Sequence, residues 1–154
     1  MTVDMIAKRT FETRHLAASA PEIFAVLTDP TLHSVIDGSG TVIGARDVHA
    51  DRLVLGSRFG MKMRLGIPYR VSSEVTEFEQ DRLIAWRHLG HHVWRYELVP
   101  TDDGGTDVTE TFDWAPARSP RALELVGYPA RHEKSITNTL ERLDAYLTNK
   151  SAAL

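Results

Sequence analysis

The chain has 154 residues, a formal net charge of −3 and no cysteine, which is enough for one domain that buries roughly 70% of its unfolded surface without a disulfide or a structural metal. A pI near 6.1 and the lack of a dense Lys/Arg cluster argue against nucleic-acid binding, and the missing thiols exclude cysteine nucleophiles and Cys-based zinc sites. The longest unbroken apolar run, Ile23 to Leu27, is far shorter than the ~20 residues of a membrane span, and Met1 to Phe11 lacks a signal-peptide core, so a cytoplasmic protein is expected.

Residues Ile6 to Leu16 read as a first strand whose alternation is too mixed to assign a buried face. Ser19-Ala20-Pro21-Glu22 then announces a helix: Ser19 can cap, Pro21 fits the first turn, and Glu22 can close a capping box onto Ser19. Asp29-Pro30 interrupts it. A second short helix is expected from Pro30 to about Ile36, ending at Asp37-Gly38-Ser39-Gly40, with Thr41 to Arg46 as a strand.

From Phe59 to Trp114 a period-two apolar pattern returns strand after strand and describes one face of a curved antiparallel sheet. Opposed residues on that face are expected to be Met63 with Val71, Val75 with Ile84, Trp86 with Trp94, and Tyr96 with Glu110. The turns then fall at Gly66-Ile67-Pro68, Glu79-Gln80, Leu89-Gly90-His91 and Asp102-Asp103-Gly104. After Trp114 the period changes. Ser119-Pro120 opens a helix, Gly127-Tyr128-Pro129 breaks it, and Ile136, Leu140, Leu143 and Leu147 form a stripe that can cover the sheet. Asn149 to Leu154 is expected to fray, and the whole chain, residues 1–154, to form a single domain.

The polar members of the inward face, Ser73, His88, Tyr96 and Glu110, suggest a lined pocket. Its ligand-binding wall is expected to comprise Phe59, Met61, Met63, Ser73, Trp86, His88, Trp94, Tyr96, Phe112 and Trp114, aromatic rings for stacking and methionines as adaptable surface. Burial would raise the pKa of Glu110, which beside Tyr96 could act as general acid or base or orient a ligand hydroxyl. The competing reading pairs Glu110 with Arg58, Arg70 or Arg95, or turns it outward at a bulge. His33 and Asp37, four residues apart, could form a base and its orienter with Ser39 nearby, against the alternative of a capping contact. His88-x-x-His91-His92 reads as hairpin-tip histidines, so no metal is expected. Gly38-x-Gly40-x-x-x-Gly44 has the wrong spacing and context for a dinucleotide loop.

The order strand, two short helices, sheet, long C-terminal helix, with Ser-Ala-Pro-Glu-Ile-Phe, Gly56-Ser57-Arg58-Phe59, Leu83-Ile84-Ala85-Trp86 and Gly104-Gly105-Thr106-Asp107-Val108-Thr109, resembles the START-related SRPBCC superfamily, in its polyketide cyclase/dehydrase-like branch. The resemblance implies an α+β helix-grip fold, a curved antiparallel sheet of about seven strands wrapped round the long C-terminal helix, enclosing a cavity for an apolar or amphipathic small molecule. Many members carry a tryptophan on the second short helix, where this chain reads Leu32-His33-Ser34-Val35-Ile36. The superfamily includes carriers, receptors, cyclases and co-chaperones, so fold does not settle function. The first expectation is binding of a hydrophobic or polyketide-like molecule without a cofactor. The alternatives are a cyclase, aromatase or dehydratase in which Glu110 or His33 moves a proton, and a protein-interaction module. Expected partners are a hydrophobic or aromatic small molecule and, as an alternative to the monomer, a second copy in a homodimer.

Overall fold

A computed structural model describes residues 2–46 and 52–153. Eight antiparallel strands form one sheet: β1 (Thr2–Asp4), β2 (Arg9–Leu16), β3 (Val42–Arg46), β4 (Arg58–Leu65), β5 (Ile67–Glu79), β6 (Leu83–His88), β7 (Val93–Pro100) and β8 (Thr106–Asp113), in the order β1-β2-β8-β7-β6-β5-β4-β3. Helix α1 (Ala20–Leu27), a single 3-10 turn (Pro30–Leu32) and α2 (His33–Ile36) follow β2; α3 (Pro120–Leu125) and α4 (Tyr128–Ala152) follow β8. This is the helix-grip arrangement. The strand beyond the expected seven is β1, which folds back on β2 after the positive-φ residue Lys8 and the Asp4 side chain, whose Oδ1 accepts from the amides of Ile6 and Ala7.

The start of α1 forms as its residues dictate. The Ser19 amide and hydroxyl both donate to Glu22 Oε2 at 2.9 Å, satisfying a donor that the helix itself leaves free. Asp29 Oδ1 accepts from Thr31 N–H and caps the 3-10 turn.

Registers at β6–β7 and β7–β8 match the sequence pattern: Trp86 opposes Trp94 and Tyr96 opposes Glu110. Two others differ. Val71 opposes Met61 instead of Met63, because the turn closes on Gly66 alone, at φ 74°, and Ile67 and Pro68 join β5; a two-residue slip leaves the buried face unchanged. Val75 opposes Trp86, and Ile84 opposes Phe78, because the register shifts between Val75 and Glu77. That bulge adds a residue at Thr76, so Val75 and Phe78 both contribute to the core although they are three apart, and it bends the 13-residue strand.

Helix α4 lays Ile136, Leu140, Leu143 and Leu147 against the sheet as the stripe requires, and it stays helical past Asn149 through Ala152. Between α2 and β3 the chain passes close to α4 at Gly38, whose amide donates to Thr139 Oγ1 at 2.9 Å. A Cβ here would sit 2.3 Å from the Thr139 nitrogen and 2.5 Å from the Ser135 carbonyl oxygen. Both neighbours are helix backbone and cannot step aside. Gly38→Ala is therefore expected to destabilise by about 1–3 kcal/mol, lowering the melting temperature by roughly 3–9 °C; a calorimetric scan showing an unchanged midpoint would remove this contact from the account.

Candidate functional site

The inner face of the sheet holds most of the expected wall. Phe59, Met61, Trp86, Tyr96, Phe112 and Trp114 are buried, and Met63 and Trp94 pack against them partly covered. Trp114 closes one end, its indole N–H donating to Glu124 Oε1 at 2.9 Å, which also accepts from Lys8 Nζ at 2.7 Å.

At the centre stands Glu110, 2% exposed on β8. The Tyr96 hydroxyl donates to its Oε1 at 2.7 Å, while Oε2 is buried without a partner among the described residues. None of the three arginines weighed above neutralises it: Arg95 pairs with Glu77, Arg58 faces Glu74, and Arg70 is exposed. Burial pushes the Glu110 pKa well above the ordinary carboxyl value; the Tyr96 bond works the other way, and the charges of Asp37 and Glu12 raise it further. Burial thus favours the neutral form of Glu110, and in that form Oε1 accepts from tyrosine while an Oε2 hydroxyl is free to donate. Burial and the Glu110 carboxyl also push Tyr96 well above the usual phenol value.

Sequence reasoning missed the neighbours on β2. Glu12 lies directly opposite Glu110 in the ladder, and Thr10 opposite Phe112; both Glu12 Oε2 and Thr10 Oγ1 are buried and unpartnered among the described residues. The signal was present as Thr10-x-Glu12-x-Arg14-x-Leu16, an alternation in which only Leu16 is apolar. Arg14 points the same way and reaches Asp144 of α4 at 3.0 Å.

His33 and Asp37 do not form a dyad. The His33 Nε2–H donates to the Leu27 carbonyl at 2.9 Å and the ring stacks on Trp86, centroids 5.0 Å apart, leaving Nδ1 buried and, among the described residues, unpartnered. The Asp37 carboxylate instead accepts from the Ser39 hydroxyl at 2.7 and 2.8 Å and from the Val42 amide at 3.1 Å, ending the helix as a cap.

A second polar group gathers histidines that the sequence separates by 44 positions. His88 and His92 face each other with centroids 4.8 Å apart, and His132 of α4 packs on Phe112 at 4.3 Å and Trp94 at 4.9 Å. Burial lowers His88 and His132 to about 3 and His92 to about 4, so all three rings are neutral at physiological pH. His88 Nδ1 lies 2.7 Å from the Ser73 hydroxyl, while the Nδ1 atoms of His92 and His132 are buried without partners among the described residues. Among the described residues no group of His, Asp and Glu is arranged to hold a metal ion. Phe59, Ser73 and His88 also line an open pocket of about 550 Å³ at the end of the β6–β7 hairpin.

The family model described as polyketide cyclase / dehydrase and lipid transport matches residues 9–148. The chain is 38% identical, over 97% of its length and 69% of the relative's, to the uncharacterized protein Rv0088 of Mycobacterium tuberculosis. Among solved structures, protein Ms6760 of Mycobacterium smegmatis superposes with a TM-score of 0.71 at 21% identity, covering 97% of this chain and 96% of that one. Protein NE0264 of Nitrosomonas europaea does so with 0.73 at 19%, covering 97% and 99%. The AHSA1-like protein of Aeromonas hydrophila gives 0.64 at 19%, covering 90% and 93%. These likenesses carry the fold. Among the described residues no helix is long and apolar enough to cross a membrane.

Proposed function

The chain belongs to the polyketide cyclase / dehydrase and lipid transport family, and from that membership and the chemistry of the inner face we propose that it binds a hydrophobic, polyketide-like small molecule bearing carbonyl or hydroxyl groups. The observation that carries this reading is the Glu110 carboxyl: buried, pushed by that burial toward its neutral form, and with Oε2 unpartnered among the described residues. A buried donor without an acceptor costs about 1–3 kcal/mol, and native interiors leave few such atoms unmatched. Glu12 Oε2 and Thr10 Oγ1 on β2, Nδ1 of His92 beside β7, and Nδ1 of His33 on α2 and His132 on α4 are likewise buried without partners among the described residues. A ligand with several oxygens and an aromatic or aliphatic body would pair with them while stacking on Trp86 and Trp94.

A second reading follows from the same carboxyl. A neutral acid held by a tyrosine is the form a general acid needs, and it would protonate a carbonyl oxygen during cyclisation or dehydration. His33 serves it poorly, because its Nε2–H is committed to Leu27 and its ring is sealed against Trp86.

Native mass spectrometry of freshly purified protein, followed by solvent extraction, tests the binding reading. The expected result is an adduct lost on denaturation, or, for empty protein, quenching of tryptophan emission by 1,8-dihydroxyanthraquinone. Protein that carries no adduct and shows no quenching would overturn the proposal and favour an interaction module.

A further inference from the structure

We propose that one end of the molecule docks peripherally on an anionic lipid surface. The ladder places the β1–β2, β4–β5 and β6–β7 turns at this end together with the close of β8: Arg9 and Val93 both oppose Asp113, Arg87 opposes Val93, and Leu65 opposes Ile67. Lys8 reaches Glu124 at 2.7 Å, which brings the end of α3 to the same place. The four most exposed large apolar side chains among the described residues all belong to these segments: Ile6 (97% exposed), Leu125 (88%), Ile67 (76%) and Leu89 (75%). A single exposed aliphatic side chain needs no explanation, but four gathered at one end of a sheet mark a surface that meets something apolar. The β4–β5 hairpin is the most open of the four segments. Every residue from 64 to 70 is exposed, so both faces of its tip are uncovered.

Charge follows the same axis. Lys62, Arg64 and Arg70 of that hairpin, Arg118 and Arg121 of the segment after β8, and Arg131 in the first turn of α4 are exposed, and none of them forms an ion pair among the described residues. Lys62 and Arg70 oppose each other directly in the ladder, a like-charge pair that costs stability. The acids Asp4, Asp113 and Glu124 at this end are already engaged, by the amides of Ile6 and Ala7, by Arg9 and by Lys8. At the other end, the Glu79–Arg82 and Thr101–Gly105 turns carry Glu79, Asp81, Asp102 and Asp103, with Arg82 as their one cation. An eight-residue strand separates the two ends by roughly 25 Å, more than twice the ~10 Å Debye length at 0.1 M salt. The net charge of −3 therefore does not describe what a surface meets at the basic end.

The chemistry selects the occupant. A second copy of the chain would set the same cations against themselves. Single-stranded nucleic acid stacks on aromatic side chains, whereas these tips are aliphatic. Separate aliphatic tips with cations set behind them suit a deformable interface, in which acyl chains receive the tips and anionic headgroups the cations. In the hairpin the Lys62/Arg70 rung lies three residues, roughly 10 Å, behind the Leu65/Ile67 rung, about the depth to which interfacial segments sink. The docking does not depend on what the inner face binds.

The chain has no cysteine, so one introduced thiol carries a site-specific label. Ile67→Cys and Leu125→Cys, labelled with a nitrobenzoxadiazole dye, should brighten at least about twofold with vesicles of phosphatidylcholine containing about one-third phosphatidylglycerol, as the dye enters the interface. Val99→Cys, exposed at the other end of the sheet, should not respond. Flotation of the unlabelled chain should require phosphatidylglycerol and weaken as salt rises. Arg64→Glu with Arg70→Glu should weaken that binding at least about tenfold, whereas Arg82→Glu with Arg142→Glu, an equal change of net charge away from this end, should leave it within about twofold of the parent. The proposal is overturned if the chain does not float with phosphatidylglycerol vesicles, if it floats equally with phosphatidylcholine alone, if the Val99 label responds as the Ile67 label does, or if the two double variants bind alike.

Discussion

Acidification from pH 7 to pH 4 is expected to unfold the protein steeply, because its interior holds imidazoles that must stay neutral. His88 and His132, lowered to about 3, and His92, lowered to about 4, would each titrate near 6.5 in the unfolded chain. Their contribution to stability is complete above the unfolded value and is lost as pH falls toward the folded ones. Near pH 5 the unfolded chain binds about three more protons at these sites than the native one, each worth about 1.4 kcal/mol per pH unit. His33, also lowered by burial, acts in the same direction. Glu110 opposes them: its pKa is raised by burial, so its share of stability is full below the unfolded carboxyl value and lost as pH rises above it. One proton against three leaves the histidines dominant between about pH 4.5 and 6.5, a net uptake of roughly two protons on unfolding. Above that window the Glu110 decline is what remains of these groups. Urea titrations at half-unit pH steps should therefore give a maximum near neutrality and a sharp acid limb. His132→Phe, filling an aromatic site beside Trp94, Phe112 and Tyr128, should flatten that limb by about one proton; an unaltered slope would mean that His132 is not neutral in the native state.

What the sequence made legible follows from how each feature is encoded. The β6, β7 and β8 registers were readable because alternation and turn chemistry agree there, and Tyr96 opposite Glu110 came directly from it. The Val75 register was not, since a bulge inserts a residue without changing composition and Thr76 looks like any strand threonine. Glu12 was hidden because strand β2 turns threonine, glutamate and arginine toward the helix, so hydrophobic periodicity has nothing to detect. The His33/Asp37 pairing failed for a different reason. Helical spacing makes i and i+4 neighbours, but α2 ends at Ile36, and Asp37, already at ψ 119°, turns its carboxylate to the amides that follow. His132 could be read as lying on the last helix, but nothing local to it shows that it meets His88 and His92 across the sheet. The pocket at the end of the β6–β7 hairpin is of the same kind, assembled from four separated segments.

Substitutions at Glu110 are expected to separate binding from turnover. Glu110→Gln keeps the shape, still accepts the Tyr96 hydroxyl at Oε1, and replaces the free O–H donor by an N–H donor. A binding protein should then retain its affinity for 1,8-dihydroxyanthraquinone within about threefold. An enzyme that uses the carboxyl proton should lose about 10²–10⁴ in rate, because an amide cannot transfer it. Glu110→Leu removes the donor and also strands the Tyr96 hydroxyl, which is itself buried; a loss of about 1–3 kcal/mol, between fivefold and 150-fold in affinity, is expected. Tyr96→Phe, with Glu110→Leu in a double-mutant cycle, should recover part of that loss, since it removes the stranded group with its partner gone. Both Glu110 variants must also remove the decline of stability above about pH 6.5, where the histidines no longer oppose it, and steepen the acid limb by about one proton. This last readout needs no ligand. If the decline persists in Glu110→Gln, the carboxyl is ionised in the native protein, and with it go the free donor and the acid on which both readings of the site depend.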